Sequence, residues 1–163
     1  EFSSAIDRLK KATDSGQVRA FTGNEYAQDL VKGNVVACEA WSGDIIQLQF
    51  DNPDIKFVAP EEGLAIWSDN MLVPNKAAHK QNAEELMNFY YDPVNAATLA
   101  AWVNYICPVD GAKQAMEKID PSIVDNELIF PTESTLANAK GFMALDQKTE
   151  QDYQKQFAAV IGA

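Results

Sequence analysis

Two tryptophans, each followed by small polar and acidic residues, carry the chemistry of this chain. In VVACEAWSGD, residues 35–44, Trp41 lies between Glu39 and Asp44. In LAIWSDN, residues 64–70, Trp67 is followed by Ser68, Asp69 and Asn70. An indole face attracts a cation, and a carboxylate adds a charge-assisted hydrogen bond to an ammonium. Two aromatic faces and a carboxylate therefore describe a clamp for an alkylammonium group. Each residue also has an ordinary explanation. Asp69 can accept backbone N–H bonds from a neighbouring loop, or sit beside solvent at a strand end, because a buried carboxylate needs a partner. Trp41 can be a core aromatic, and Asp44 is favourable in the first turn of a helix whatever its function. Tyr105 precedes Ile106-Cys107-Pro108, a proline-marked turn from which its ring and hydroxyl can face a pocket.

Other chemistries find little support. The single histidine, His79, lies in the polar stretch NKAAHKQ and reads as a solvated surface residue. There is no CxxC or second histidine for a zinc set, no GxSxG elbow, no GxGxxG and no GxxxxGK[ST]. Glu61-Glu62 reads as a solvated turn, so a carboxylate-dependent hydrolase has no pair of residues to stand on. No cofactor is called for. The net charge of -11, from 24 acidic and 13 basic residues, argues against nucleic acid and against anionic lipid. An acidic surface raises the local concentration of small cations. No stretch reaches the roughly 20 apolar residues that span a bilayer. Cys38 and Cys107 are read as two buried thiols in preference to a disulfide.

The elements that must position these residues alternate in pattern. Helices are predicted at SSAIDRLKKATD, NEYAQDLVKG, DIIQLQF, KAAHKQNAEELMNFYY, DPVNAATLAAWVNY, GAKQAMEKI, TESTLANAKGFMAL and KTEQDYQKQFAAVIG. Ser42 is a candidate cap for the third. Strands are predicted at VVACEAW, IKFVAP and LAIWSDNMLVP. In the last of these, residues two apart share a face, so Trp67 and Asp69 would point together. Trp102, Phe142 and Met143 are expected to pack. Short apolar strands separated by helices indicate an α/β fold, with mixed sheets covered by helices. In such sheets ligands lie beyond the carboxyl ends of the strands, and two strand patterns each lead into a tryptophan followed by small polar and acidic residues.

At these residues the chain resembles the substrate-binding proteins of ABC uptake systems, specifically the spermidine/putrescine-binding group. The resemblance is an ordered series: VVACEAWSGD, IKFVAPEEGLAIWSDNMLVPNKA, AEELMNFYYDPVNAATLA, NYICPV and LIFPTESTLANAKGF. It implies a periplasmic-binding-protein type II-like fold that closes two lobes around a ligand and catalyses no reaction. Trp41, Trp67, Asp69 and Tyr105 match the family's ligand-binding positions, with Asp69 taking an amino group. Phe142 stands where the spermidine-binding member places a glutamine. Members are about twice this length, so an incomplete two-lobed fold is expected. Residues 1–68 would belong to the second lobe, 69–105 to a hinge strand and helices of the first, and 106–163 to the second again. The opening Glu1-Phe2, without an initiator methionine, is read accordingly as the cut end of a longer chain or a processed terminus. The implied partners are a small cationic polyamine, a membrane permease, and either a missing amino-terminal half or a second copy. The implied location is periplasmic or cell-surface. A receptor for another small solute is the alternative.

Overall fold

The computed structural model describes residues 1–162. They form two compact units, one of Glu1–Glu39 with the chain from Met143, the other of Ala40–Phe142. The first unit holds α1 (Phe2–Asp14), α2 (Tyr26–Val31) and α8 (Gln147–Ile161). Here α1 packs against α8, and the rings of Phe2 and Tyr153 stack with centroids 3.6 Å apart. Phe21 meets Phe157 edge to face. Asp146 starts α8 by accepting the amide protons of Lys148 and Thr149. The bond from the Thr149 hydroxyl, then these backbone bonds, stabilise its charged form and hold its carboxyl below the usual range.

The second unit contains α3 (Ser42–Asp51), β1 (Leu64–Ile66), α4 (Lys80–Tyr90), α5 (Pro93–Val103), α6 (Ala112–Ile119), α7 (Glu133–Ala137) and β2 (Ala139–Gly141). Its core sits where α5 meets α6. Ala96, Ala97 and Ala100 on α5 lie against Ala112 and Met116 of α6, with Ile46, Ile123 and Ile129 closing around them. Alanine stripes let two backbones approach closely, and Met116 fills the remaining space. The Asp92 side chain caps α5 by accepting from Val94 and Asn95, and Pro93 occupies the first turn, where no N–H is needed. The helix ends on Asn104, whose left-handed backbone at φ 59° turns the chain toward Tyr105.

β1 and β2 pair in parallel, Leu64 with Ala139 and Ile66 with Gly141. Gly63, at φ 110°, brings the backbone against the Asn138 carbonyl, where a Cβ would collide. The result is a mixed α/β chain, predominantly helical, with a small open sheet.

The eight predicted helices have counterparts, with one substantial revision. TESTLANAKGFMAL is a five-residue helix followed by β2. The strands depart further. Residues 35–41 and 55–60 form no strand, and LAIWSDNMLVP is a strand only over its first three residues. A helix satisfies its hydrogen bonds within itself, whereas a strand depends on partners elsewhere. The covered mixed sheets expected from the sequence are accordingly reduced to two paired strands among the described residues. Apolar residues in the unpaired segments lie largely open, Val36 at 99% and Val58 at 75% exposure, with Ile55 the buried exception. Trp102, Phe142 and Met143 are also exposed rather than packed.

Candidate functional site

Trp41 stands immediately before α3, in extended conformation, and its carbonyl accepts the Ile45 amide proton. It rather than Ser42 occupies the cap position; Ser42 is already the first helical residue. Trp67 lies just past β1. The two indoles meet edge to face, with centroids 5.4 Å apart and planes at 75°. This geometry suits the aromatic quadrupole. Each remains open to solvent, at 43% for Trp41 and 41% for Trp67. The tryptophans therefore support each other while presenting apolar surface outward.

Tyr105 approaches the same helix start from 61 residues further along the sequence. Its ring lies over the buried Gly43, where any Cβ would overlap the aromatic carbons. Its hydroxyl donates to Asp44 Oδ1 at 3.0 Å. Gln47, on the same helix, donates to the Val103 carbonyl at the end of α5, tying the two elements together. Partial burial, then the hydrogen bond to Asp44 and its negative charge, push the Tyr105 phenol up to about 12. Asp44 lies in the first turn of α3, where the helix dipole favours its charge.

Asp69 is exposed, beyond the end of β1. The alternation that would align it with Trp67 therefore does not apply, because the strand has ended before either residue. No hydrogen bond or ion pair from another described residue engages its carboxylate, while neighbouring Asn70 donates to the Ser68 carbonyl. The structure thus joins Trp41 to Trp67 and Tyr105 to Asp44, both pairs meeting the start of α3 through Trp41 and Asp44.

The sequence named Asp44 beside Trp41, but neither its bond to Tyr105 nor the role of Gly43 was legible there. Gly43 admits the Tyr105 ring, and Asp44 receives its hydroxyl, across a separation of 61 residues. No local pattern reports such a contact.

Elsewhere the surface offers less. A shallow, open depression beside β1 is lined by Pro60, Leu64, Thr135 and Asn138 but by none of the aromatic residues above. Among the described residues, no group of three His, Cys, Asp or Glu side chains is placed to hold a metal ion. His79 is exposed at the start of α4. Both cysteines are free; Cys38 is exposed, contrary to the expected buried thiol, and Cys107 is half-buried.

Comparison with known proteins places this geometry in context. A family model described as bacterial extracellular solute-binding protein matches residues 2–132. The chain is 26% identical, over 86% of its length, to a spermidine/putrescine-binding periplasmic protein of Escherichia coli. It is 24% identical, over 82%, to a putrescine/agmatine-binding protein of Pseudomonas aeruginosa. A putrescine-binding periplasmic protein of Escherichia coli is 24% identical over 90% of the chain. The matches cover 39%, 37% and 40% of those relatives, so the chain spans about two fifths of their length.

Proposed function

We infer the function from family membership: this chain belongs to the bacterial extracellular solute-binding protein family. Its role is solute binding for an ABC uptake system, outside the cytoplasm, and no catalytic step is required of it. The ligand we propose is an aliphatic diamine or polyamine of the putrescine and spermidine type. One observation carries this reading: the Trp41–Trp67 pair leaves two indole surfaces open beside the Tyr105–Asp44 pair. Methylene chains bury well against indole, and ammonium ends seek aromatic faces and carboxylates. The names of the three relatives agree in ligand class.

In the proposed whole protein, residues 69–105 cross to the first lobe and the rest of the chain belongs to the second. Asp69 then gains its ammonium partner when the lobes close, and a membrane permease receives the ligand. An amino-terminal half supplies the opposite wall of the cleft. Without that wall, this chain alone binds a polyamine weakly, because a dication needs more compensation than one pre-placed carboxylate offers.

Calorimetry on the full-length protein with putrescine, spermidine and 1,4-butanediol tests the ligand class. Both amines should bind and the uncharged diol should not. Equal binding of the diol, or silence with both amines, rules polyamine recognition out. Asp69→Asn should weaken binding by about 2–5 kcal/mol while the melting temperature stays put. A large loss of thermal stability with unchanged affinity would make Asp69 a structural residue instead.

A further inference from the structure

Tyr105 and Asp44 form a pair whose chemistry reaches beyond mutual support. A tyrosine hydroxyl has one proton to give and two lone pairs with which to accept. An ionised carboxylate has no proton to give, so the bond at 3.0 Å runs in one direction, from the Tyr105 hydroxyl to Asp44 Oδ1. The hydroxyl makes no second hydrogen bond among the described residues. Its only proton is thereby committed inward. What remains available to an incoming group is the acceptor side of the oxygen.

The surroundings hold that orientation in place. Gly43 lets the ring lie flush on the first turn of α3, where a larger residue would lift it away. The Gln47 bond to Val103 anchors the helix to the segment that leads into Tyr105. Asp44 sits three residues after Trp41, on the same helix start as the indole pair. The carboxylate also adds negative potential beside the aromatic patch, which favours cations there.

We propose that Asp44 is a specificity-determining positioning residue: by accepting the sole proton of the Tyr105 hydroxyl it makes that hydroxyl an acceptor only, so the patch selects ligands that donate N–H bonds, such as alkylammonium groups. This rests on the polyamine reading of the same site. Asp44 acts through Tyr105 and need not touch the ligand. An asparagine at position 44 could donate to the phenol oxygen instead of accepting from it. The Tyr105 proton would then be free to turn outward and oppose an ammonium.

The test is a double-mutant cycle in the full-length protein, with putrescine and 1,4-butanediol as probes. Asp44→Asn should weaken putrescine binding by about tenfold or more, the scale of one hydrogen bond to a charged group. The diol should stay without measurable binding, as with the wild type, so the narrowed preference comes from the loss of putrescine affinity. In a Tyr105→Phe background the same change at position 44 should shift putrescine affinity by less than about threefold, since the coupling runs through the hydroxyl. Titration of the phenol adds a readout independent of ligand: in Asp44→Asn it should fall from about 12 toward the ordinary tyrosine value. Full binding of putrescine by Asp44→Asn overturns the proposal and leaves the polyamine reading standing. A loss that persists undiminished in the Tyr105→Phe background also overturns it, because Asp44 would then act by charge alone. A wild-type protein that binds no amine overturns the polyamine reading, and the proposed selection with it.

Discussion

The α5–α6 region and the strand-patterned segments start from similar apolar content and end in opposite environments. Ala97 and Met116 are wholly buried, whereas Val36 and Val58 stand in solvent. The difference lies in where each element finds its hydrogen bonds. Asp92, Pro93 and Asn104 delimit α5 from within its own sequence, and a helix so delimited needs only one partner face to build a core. Residues 35–41 and 55–60 carry alternating or continuous apolar patterns but pair with nothing among the described residues. Only Ile55, tied to the end of α3 by bonds to Asn52 and Gln49, is buried among them; an extended segment without a strand neighbour leaves most of its amides and side chains to water. Apolar content alone does not make a core; the backbone must first be satisfied.

The comparison breaks most readily at Met116. Met116→Ala removes a side chain with no solvent exposure from the centre of the helical core and should cost about 2–5 kcal/mol, read by denaturant unfolding. A loss below about 1 kcal/mol would show that this core collapses around the gap, and that the helical region is no better packed than the rest.

Gly43→Ala probes the contact between helix start and tyrosine. The added methyl must displace the Tyr105 ring, so about 1–3 kcal/mol of destabilisation should accompany loss of the hydroxyl bond to Asp44. Retention of the elevated phenol titration in this variant would place the ring elsewhere.

Alkaline pH gives a smaller effect with a definite sign. The folded-state value of Tyr105, about 12, lies above the roughly 10 of an unfolded tyrosine. Its contribution to stability is therefore complete below pH about 10 and disappears as pH rises through 12. Unfolding of the wild type and of Tyr105→Phe should converge over that interval. A constant difference between them would show that burial and the Asp44 bond do not raise the Tyr105 phenol in the folded protein.

Val36→Thr should change least, within about 0.5 kcal/mol, because its side chain is already exposed. A larger destabilisation in this chain would mean that residues 35–41 are buried in solution, for instance by a second copy. In the proposed full-length protein the same substitution should cost more, since a completed sheet would enclose it.

The helices were legible because their signals are local. Gly33 and Gly162 follow helices in left-handed conformation, and Asp92 with Pro93 marks a start within two residues. The strand boundaries were not legible, since LAIWSDNMLVP has the composition of a long strand but only Leu64–Ile66 has a partner, at Ala139–Gly141. That partner was hidden inside a segment patterned as a helix. At the site, the residue types at Trp41, Trp67 and Tyr105 were visible, whereas the roles of Gly43 and Asp44 were not.

Residue type, charge and the spacing of helix signals belong to the sequence alone, because each depends on interactions within a few positions. The acidic balance, the paired Trp-to-acid stretches and most helix limits are of this kind. Tertiary structure decided which aromatic rings meet, which strand is completed and which carboxylate takes the Tyr105 proton. Those outcomes depend on atoms 26 positions apart for the Trp41–Trp67 pair, about 75 for β1 with β2, and 61 for Tyr105 with Asp44. Contacts at such separations form only after the chain has closed the loops between them, and the closing is driven by the whole core rather than by the residues that finally touch.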